Sequence, residues 1–143
     1  FQSANGEKFI TFFIAHIHIK ECYLEYINAG HNHPVLLKNN SLKHMNTGTI
    51  MLGAFPKLPF LKSEKIDIDK NTLLFAYTDG IIETNNNIDE PFGEDRLDVF
   101  LRENFDRTLQ QIHEDLIIYL DEFKQNQPYF DDLTLFSFRL REE

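Results

Sequence analysis

Cysteine is almost absent from this 143-residue chain: Cys22 stands alone. No disulfide can form within the chain, and no cysteine-built zinc site is available. Cations are also scarce. Lys and Arg number 14 against 23 Asp and Glu, a formal charge of -9. That balance excludes a protein that works by neutralising nucleic-acid phosphates or by lying on an anionic membrane. Long apolar runs are missing as well. The best, Phe9 to Ala15, is far too short to span a bilayer, and no secretory signal is visible. The expectation is a cytoplasmic protein with no nucleic-acid partner and no direct membrane insertion. The chain opens on Phe1 rather than Met, so a piece of a longer protein is expected. What is present suits one globular domain, residues 1–143, with a respectable core: 42% of residues are hydrophobic and 26% charged.

The order of elements can be read from periodicity. Residues 9–20, FITFFIAHIHIK, alternate from Ile14 to Ile19 and predict a strand. CYLEYIN, residues 22–28, predicts a second, with Lys20 and Glu21 between them at hairpin distance. AGHNH is a glycine-containing loop, PVLLK a third strand and NNS a turn. Residues 39–59 read as loop, with strand pieces around Thr49 to Leu52. EKIDID alternates, and TLLFAYT is a further strand. Leu97, Phe100 and Leu101 share one helix face. Leu109, Ile112, Leu116, Ile117, Leu120 and Phe123 mark a second helix behind a capping box of Thr108 and Gln111. DDLTLFSFRL closes the chain as a strand. Strands, then two helices, then a strand predict an α+β protein with mostly antiparallel sheets.

Two strand ends carry carboxylates. TLLFAYT runs into Asp79 and Gly80, and the last strand is entered through Asp131 and Asp132. If those strands are antiparallel neighbours, the acids converge, and like charges that close call for a cation. Oxygen ligands suit hard ions such as Mg²⁺, Mn²⁺ or Ca²⁺, and Gly80 would let the chain turn sharply beside one. On spacing alone, an ordinary Asp-Gly turn and a solvated Asp-Asp loop remain open.

YINAGHNHPVLL, Leu52-Gly53, LLFAYTDGIIET, PFGEDRL and DDLTLFSFRL occur in that order. Together they resemble the later part of PPM-type (protein phosphatase 2C) metal-dependent serine/threonine phosphatases, in particular the bacterial SpoIIE/RsbU branch. The resemblance runs from about Phe9 to Arg141. It implies two packed antiparallel β-sheets flanked by helices, incomplete at the N-terminus. It implies that Asp79 and Asp131 are metal ligands, that His31 and Glu83 serve an additional metal, and that Asp132 supports its neighbour, with Gly80 structural at the site. His33 stands where a proline commonly follows. The early GDxxGHG-like motif of the family does not precede Phe9, so the chain resembles the later two-thirds of a domain and is expected to be inactive alone. The implied reaction is hydrolysis of phosphoserine or phosphothreonine by water activated between two Mn²⁺ or Mg²⁺ ions. The implied substrate is a phosphorylated regulator such as an anti-sigma-factor antagonist, with a sensor or receiver domain upstream.

Other features take plainer readings. His16 and His18 share a strand face but lack a third zinc ligand at a telling distance. Phe9, Phe12, Phe13, Phe75, Phe136 and Phe138 read as sandwich core, and Cys22 as a strand residue. Arg96 reads as an ion-pair partner for a nearby carboxylate, and loop 84–95 as solvated. Apolar surface left exposed would pair two copies as a homodimer. The alternative function class is a noncatalytic interaction module that kept the sandwich without the metal centre.

Overall fold

A computed structural model describes residues 8–140; both extremes of the 1–143 span, Arg141 included, lie outside the described residues. Eight strands and three helices follow in order: β1 Phe12–His18, β2 Tyr23–Ala29, β3 Val35–Lys38, β4 Ser41–His44, β5 Gly48–Thr49, β6 Glu64–Asp67, β7 Thr72–Tyr77, α1 Asp79–Ile82, α2 Gly93–Glu103, α3 Leu109–Lys124 and β8 Leu135–Arg139. The strands form two sheets. In one, β2 pairs antiparallel with β1 on one side; on the other it pairs antiparallel with β6 and parallel with β5. The other sheet has the order β4-β3-β7-β8, antiparallel throughout.

Alternation decides which face of each strand is buried. Leu24, Tyr26, Leu36, Met45, Ile68 and Leu74 fill the space between the sheets. On the opposite face of the second sheet, Val35, Leu37, Leu73, Phe75 and Tyr77 meet Leu97, Phe100 and Leu101 of α2 and Ile112, Leu116 and Leu120 of α3. The layers are therefore sheet, sheet, helices. Among the described residues no helix covers the outer face of the first sheet, and no helix is long and apolar enough to cross a membrane. The capping box is present: Thr108 Oγ1 accepts from Gln111 N, and Gln111 Oε1 accepts from Thr108 N.

The structure corrects several expectations. Residues 41–44, expected as loop, form β4. Asn39 and Asn40 both hold positive φ, 48° and 66°, and make the two-residue hairpin turn that joins Lys38 to Ser41. Cys22 is not in a strand; it sits in the β1–β2 turn at φ 55° and is exposed. Phe9, Phe12 and Phe136 are exposed rather than core. Phe12 lies on β1 and Phe136 on β8, strands that each have a partner on one side only among the described residues. The cleft between those edges, lined by Phe12, Phe13, Leu74, Ala76 and Phe136 among others, is open to solvent.

Glu64 ties the first sheet to its neighbour. It accepts from Tyr26 Oη at 2.6 Å and Thr47 Oγ1 at 2.8 Å and pairs with Lys43 of β4. The Lys43 ammonium first, then the Tyr26 hydroxyl, hold its carboxyl at about 2, down from 4.5. A carboxyl depressed on folding contributes stability above its unfolded value and loses it as pH falls through the folded one. Glu64→Gln should lower unfolding free energy by about 1–3 kcal/mol at pH 7. Urea midpoints of the two proteins should converge between pH 4.5 and pH 2; a gap independent of pH would refute the assignment.

Candidate functional site

The β7–β8 pairing runs Leu73↔Arg139 through Tyr77↔Leu135, and Thr78 carries it further. Thr78 N donates to Thr134 O at 3.2 Å. The Thr78 hydroxyl accepts from Thr134 N at 3.0 Å and donates to Asp132 O at 2.9 Å. Residues 131–134 are thereby drawn against the end of β7. Asp79 follows Thr78 and opens α1, a single turn whose Ile81 is fully buried in the helix-side core.

Gly80 is inside this turn, where the chain leaves β7, and its φ is not among the positive ones. Its lack of a side chain is the relevant property: a Cβ would lie 2.8 Å from the Asp132 carbonyl oxygen and 3.1 Å from Leu133 Cδ2. The Thr84 hydroxyl, nearly inaccessible, closes the turn by donating to Gly80 O at 2.6 Å.

The structure brings Glu83 and Asp131 together. Both line an open pocket of ≈ 340 Å³ with Gly80, Thr84, Asn85, Pro91 and Phe130. Asp79 stands at the same sheet edge without lining that pocket. Asp131 Oδ1 accepts from Asp132 N at 2.7 Å; the carboxylates of Asp79, Glu83 and Asp132 engage no hydrogen bond or ion pair among the described residues. His31 belongs to the same end of the sandwich, because Val35 opposes Phe75 and the loop before β3 therefore leaves where β7 ends. Its ring, however, lines the cleft between the sheets, 3.4 Å from Thr11 Oγ1, not the pocket of Glu83. Arg96 pairs with Glu90 at 2.8 Å and donates to Pro91 O and Phe92 O, a structural role as expected. The rings of His16 and His18 lie 4.0 Å apart, His18 stacked on Tyr23, and no third metal ligand joins them among the described residues.

Sequence reasoning passed over Thr78 and Asn28. Asn28 is 4% exposed. Its Oδ1 accepts from His31 N, and its Nδ2 donates to His31 O and Met45 O, at 2.8, 3.0 and 3.0 Å. The signal was available: Leu24, Tyr26 and Asn28 alternate onto one face of β2, so a polar amide falls in the core and must be satisfied.

The donors at this edge are all carboxylate oxygens, the chemistry of a hard divalent cation. They do not complete a coordination sphere: among the described residues no group of three or more His, Cys, Asp or Glu is placed to hold a metal. They fit part of such a site.

A family model described as stage II sporulation protein E (SpoIIE) matches residues 1–141. This chain belongs to the SpoIIE family. Protein IcfG of Synechocystis sp. (strain ATCC 27184 / PCC 6803 / Kazusa) is 34% identical over 134 residues, 90% of this chain and 20% of that protein. The SiaA-PP2C domain of Pseudomonas aeruginosa superposes with a TM-score of 0.75 at 18% identity, covering 85% of this chain and 48% of that one. The phosphatase domain of the cell fate determinant SpoIIE from Bacillus subtilis, Mn presoaked, gives 0.71 at 14% identity, covering 93% and 57%. At such identities the likeness establishes the fold: two antiparallel sheets and helices of the PPM phosphatase type. The SpoIIE-family chain spans a fifth of its curated relative and about half of the solved domains.

Gly80→Ala tests how tightly the two strand ends are joined. Alanine gains about 1 kcal/mol of helix propensity, but its Cβ meets backbone, so the Asp131–Leu133 segment must move. The net expectation is a loss of about 1–3 kcal/mol in urea unfolding; an unchanged or raised midpoint would show that the segment yields freely.

Proposed function

We propose that this chain is part of a PPM-type phosphatase domain that hydrolyses phosphoserine or phosphothreonine on a regulatory protein with Mn²⁺ or Mg²⁺. The observation that carries the reading is the shared pocket of Glu83 and Asp131 beside the joined ends of β7 and β8, where no ion pair among the described residues reaches Asp79, Glu83 or Asp132, in a SpoIIE-family sequence. In this reading Asp79 and Asp131 hold metal, Glu83 and His31 serve a further ion, and Asp132 keeps the segment against Thr78 through its carbonyl. When bound, the ions supply activation of water and neutralisation of the phosphoryl oxygens. The chain's own residues set where that happens. Thr78 fixes the spacing of the two acidic segments, Gly80 admits their close approach, and Asn28 immobilises the backbone of His31.

Residues 1–143 are read as one portion of a single domain, with the remaining ligands supplied from outside the described residues. The substrate in this reading is a phosphorylated regulator of the anti-sigma-factor-antagonist kind, and a sensor or receiver domain stands upstream. The setting is cytoplasmic, with pairing of two copies through exposed apolar surface.

In the full-length protein, Asp79→Asn and Asp131→Asn should each lower p-nitrophenyl phosphate turnover at least ~100-fold, with circular dichroism unchanged. A chelator should abolish turnover and Mn²⁺ restore it. The 143-residue chain alone should show no Mn²⁺-dependent hydrolysis. Full activity in both variants would overturn the assignment of Asp79 and Asp131, and absence of Mn²⁺-dependent turnover by the unmodified full-length protein would leave a noncatalytic interaction module.

A further inference from the structure

Phe130 is 70% exposed, yet it directly precedes Asp131 and forms a wall of the pocket that Asp131 and Glu83 share. The residues on either side of it are anchored. Tyr129 Oη donates to Asp121 Oδ1 of α3 at 3.0 Å, and Lys124 Nζ lies 4.8 Å above the Tyr129 ring. Beyond Asp131, the Asp132 carbonyl is held by Thr78 at 2.9 Å. The main chain at Phe130 is thus fixed at both ends, and the ring cannot withdraw into the helix-side core.

The opposite wall is equally set. Asn85 and Pro91 form an isolated bridge. The loop between them folds on Asn86, whose Oδ1 accepts from Ile88 N and Glu90 N at 3.1 and 3.0 Å. A pocket with two constrained walls is preformed, which reduces the ordering cost of binding.

Building on the phosphatase reading, we propose that Phe130 is a specificity-determining residue that grips a polypeptide substrate through an apolar side chain next to the phosphorylated one. The chemistry divides across the pocket. Acidic groups occupy the edge where the phosphoryl group would react, while Phe130 and Pro91 present apolar surface. A side chain leaving the substrate beside its phosphoserine meets that surface, and burying an apolar group there is favourable. An acidic neighbour has no apolar surface to bury there and would lose hydration against the ring. In p-nitrophenyl phosphate the nitrophenyl ring is the leaving group itself, and no neighbouring side chain is available to place against Phe130.

The test uses the full-length protein with three substrates: p-nitrophenyl phosphate, a phosphoserine peptide with leucine beside the phosphoserine, and the same peptide with aspartate there. Phe130→Ala should raise KM for the leucine peptide about tenfold with little change in kcat. The preference for that peptide over p-nitrophenyl phosphate and over the aspartate peptide should fall by the same factor. Phe130→Leu should recover most of it. An unchanged preference, or an equal loss on all three substrates, overturns the proposal; the equal loss would mean that the ring only supports Asp131. Absence of turnover on every substrate by the unmodified protein overturns the phosphatase reading itself, and this proposal with it.

Discussion

The three hydrogen bonds of Thr78 are the constraint on which the functional end of the molecule depends. Its main-chain N–H continues the β7–β8 ladder one step beyond Tyr77. Its hydroxyl then acts in both directions, accepting from Thr134 N and donating to Asp132 O. A valine of the same shape would keep the ladder step and lose both hydroxyl bonds, leaving residues 131–134 free to splay. The absent side chain of Gly80 is the complementary condition, since it gives the Asp132 carbonyl room to come in. Together the two residues bring the segment that begins at Asp131 against the end of β7, where Asp79 stands.

That adjacency is electrostatically unfavourable in a chain of charge -9 unless something positive arrives. Five cations among the described residues pair with carboxylates elsewhere: Lys38 with Asp69, Lys43 with Glu64, Arg96 with Glu90, Arg107 with Asp115 and Lys124 with Asp121. These pairs brace turns, the first sheet and the helices. The acids at positions 79, 83 and 132 receive none of them. A divalent ion is the economical remedy, because one ion meets several oxygens at once.

Much of this was legible in the residues, and the exceptions share a physical cause. Helix α3 announced itself because its apolar period and its capping box agree, local propensity and tertiary burial pointing the same way. The carboxylates at the ends of β7 and β8 were legible from strand order alone. β4 was not, because Ser41, Lys43 and His44 carry little strand propensity; a type of turn decided by two asparagines made the hairpin. The role of Gly80 was misread because sequence suggests conformational freedom, whereas its use here is a contact with a residue 52 positions away in the chain. The exposed Phe12 and Phe136 show the same limit. Hydrophobicity identified them as core, but burial requires a packing neighbour, and none among the described residues covers them.

The two sides of the second sheet therefore differ in what they need. Toward the helices, Phe75, Tyr77 and Ile81 pack against α2 and α3 with side chains the chain itself supplies. Asp79 is fixed by this layer, since it sits between the buried Tyr77 and the buried Ile81. Asp131 is fixed by the same layer through Thr78 and through Tyr129 on α3. Toward the first sheet, the cleft between β1 and β8 stays open and partly apolar. The positions of Asp79 and Asp131 thus do not depend on closing that cleft. In the proposed reading any further ligand would meet donors already in place, and the binding free energy of an ion would then reflect that ligand rather than an ordering of this edge.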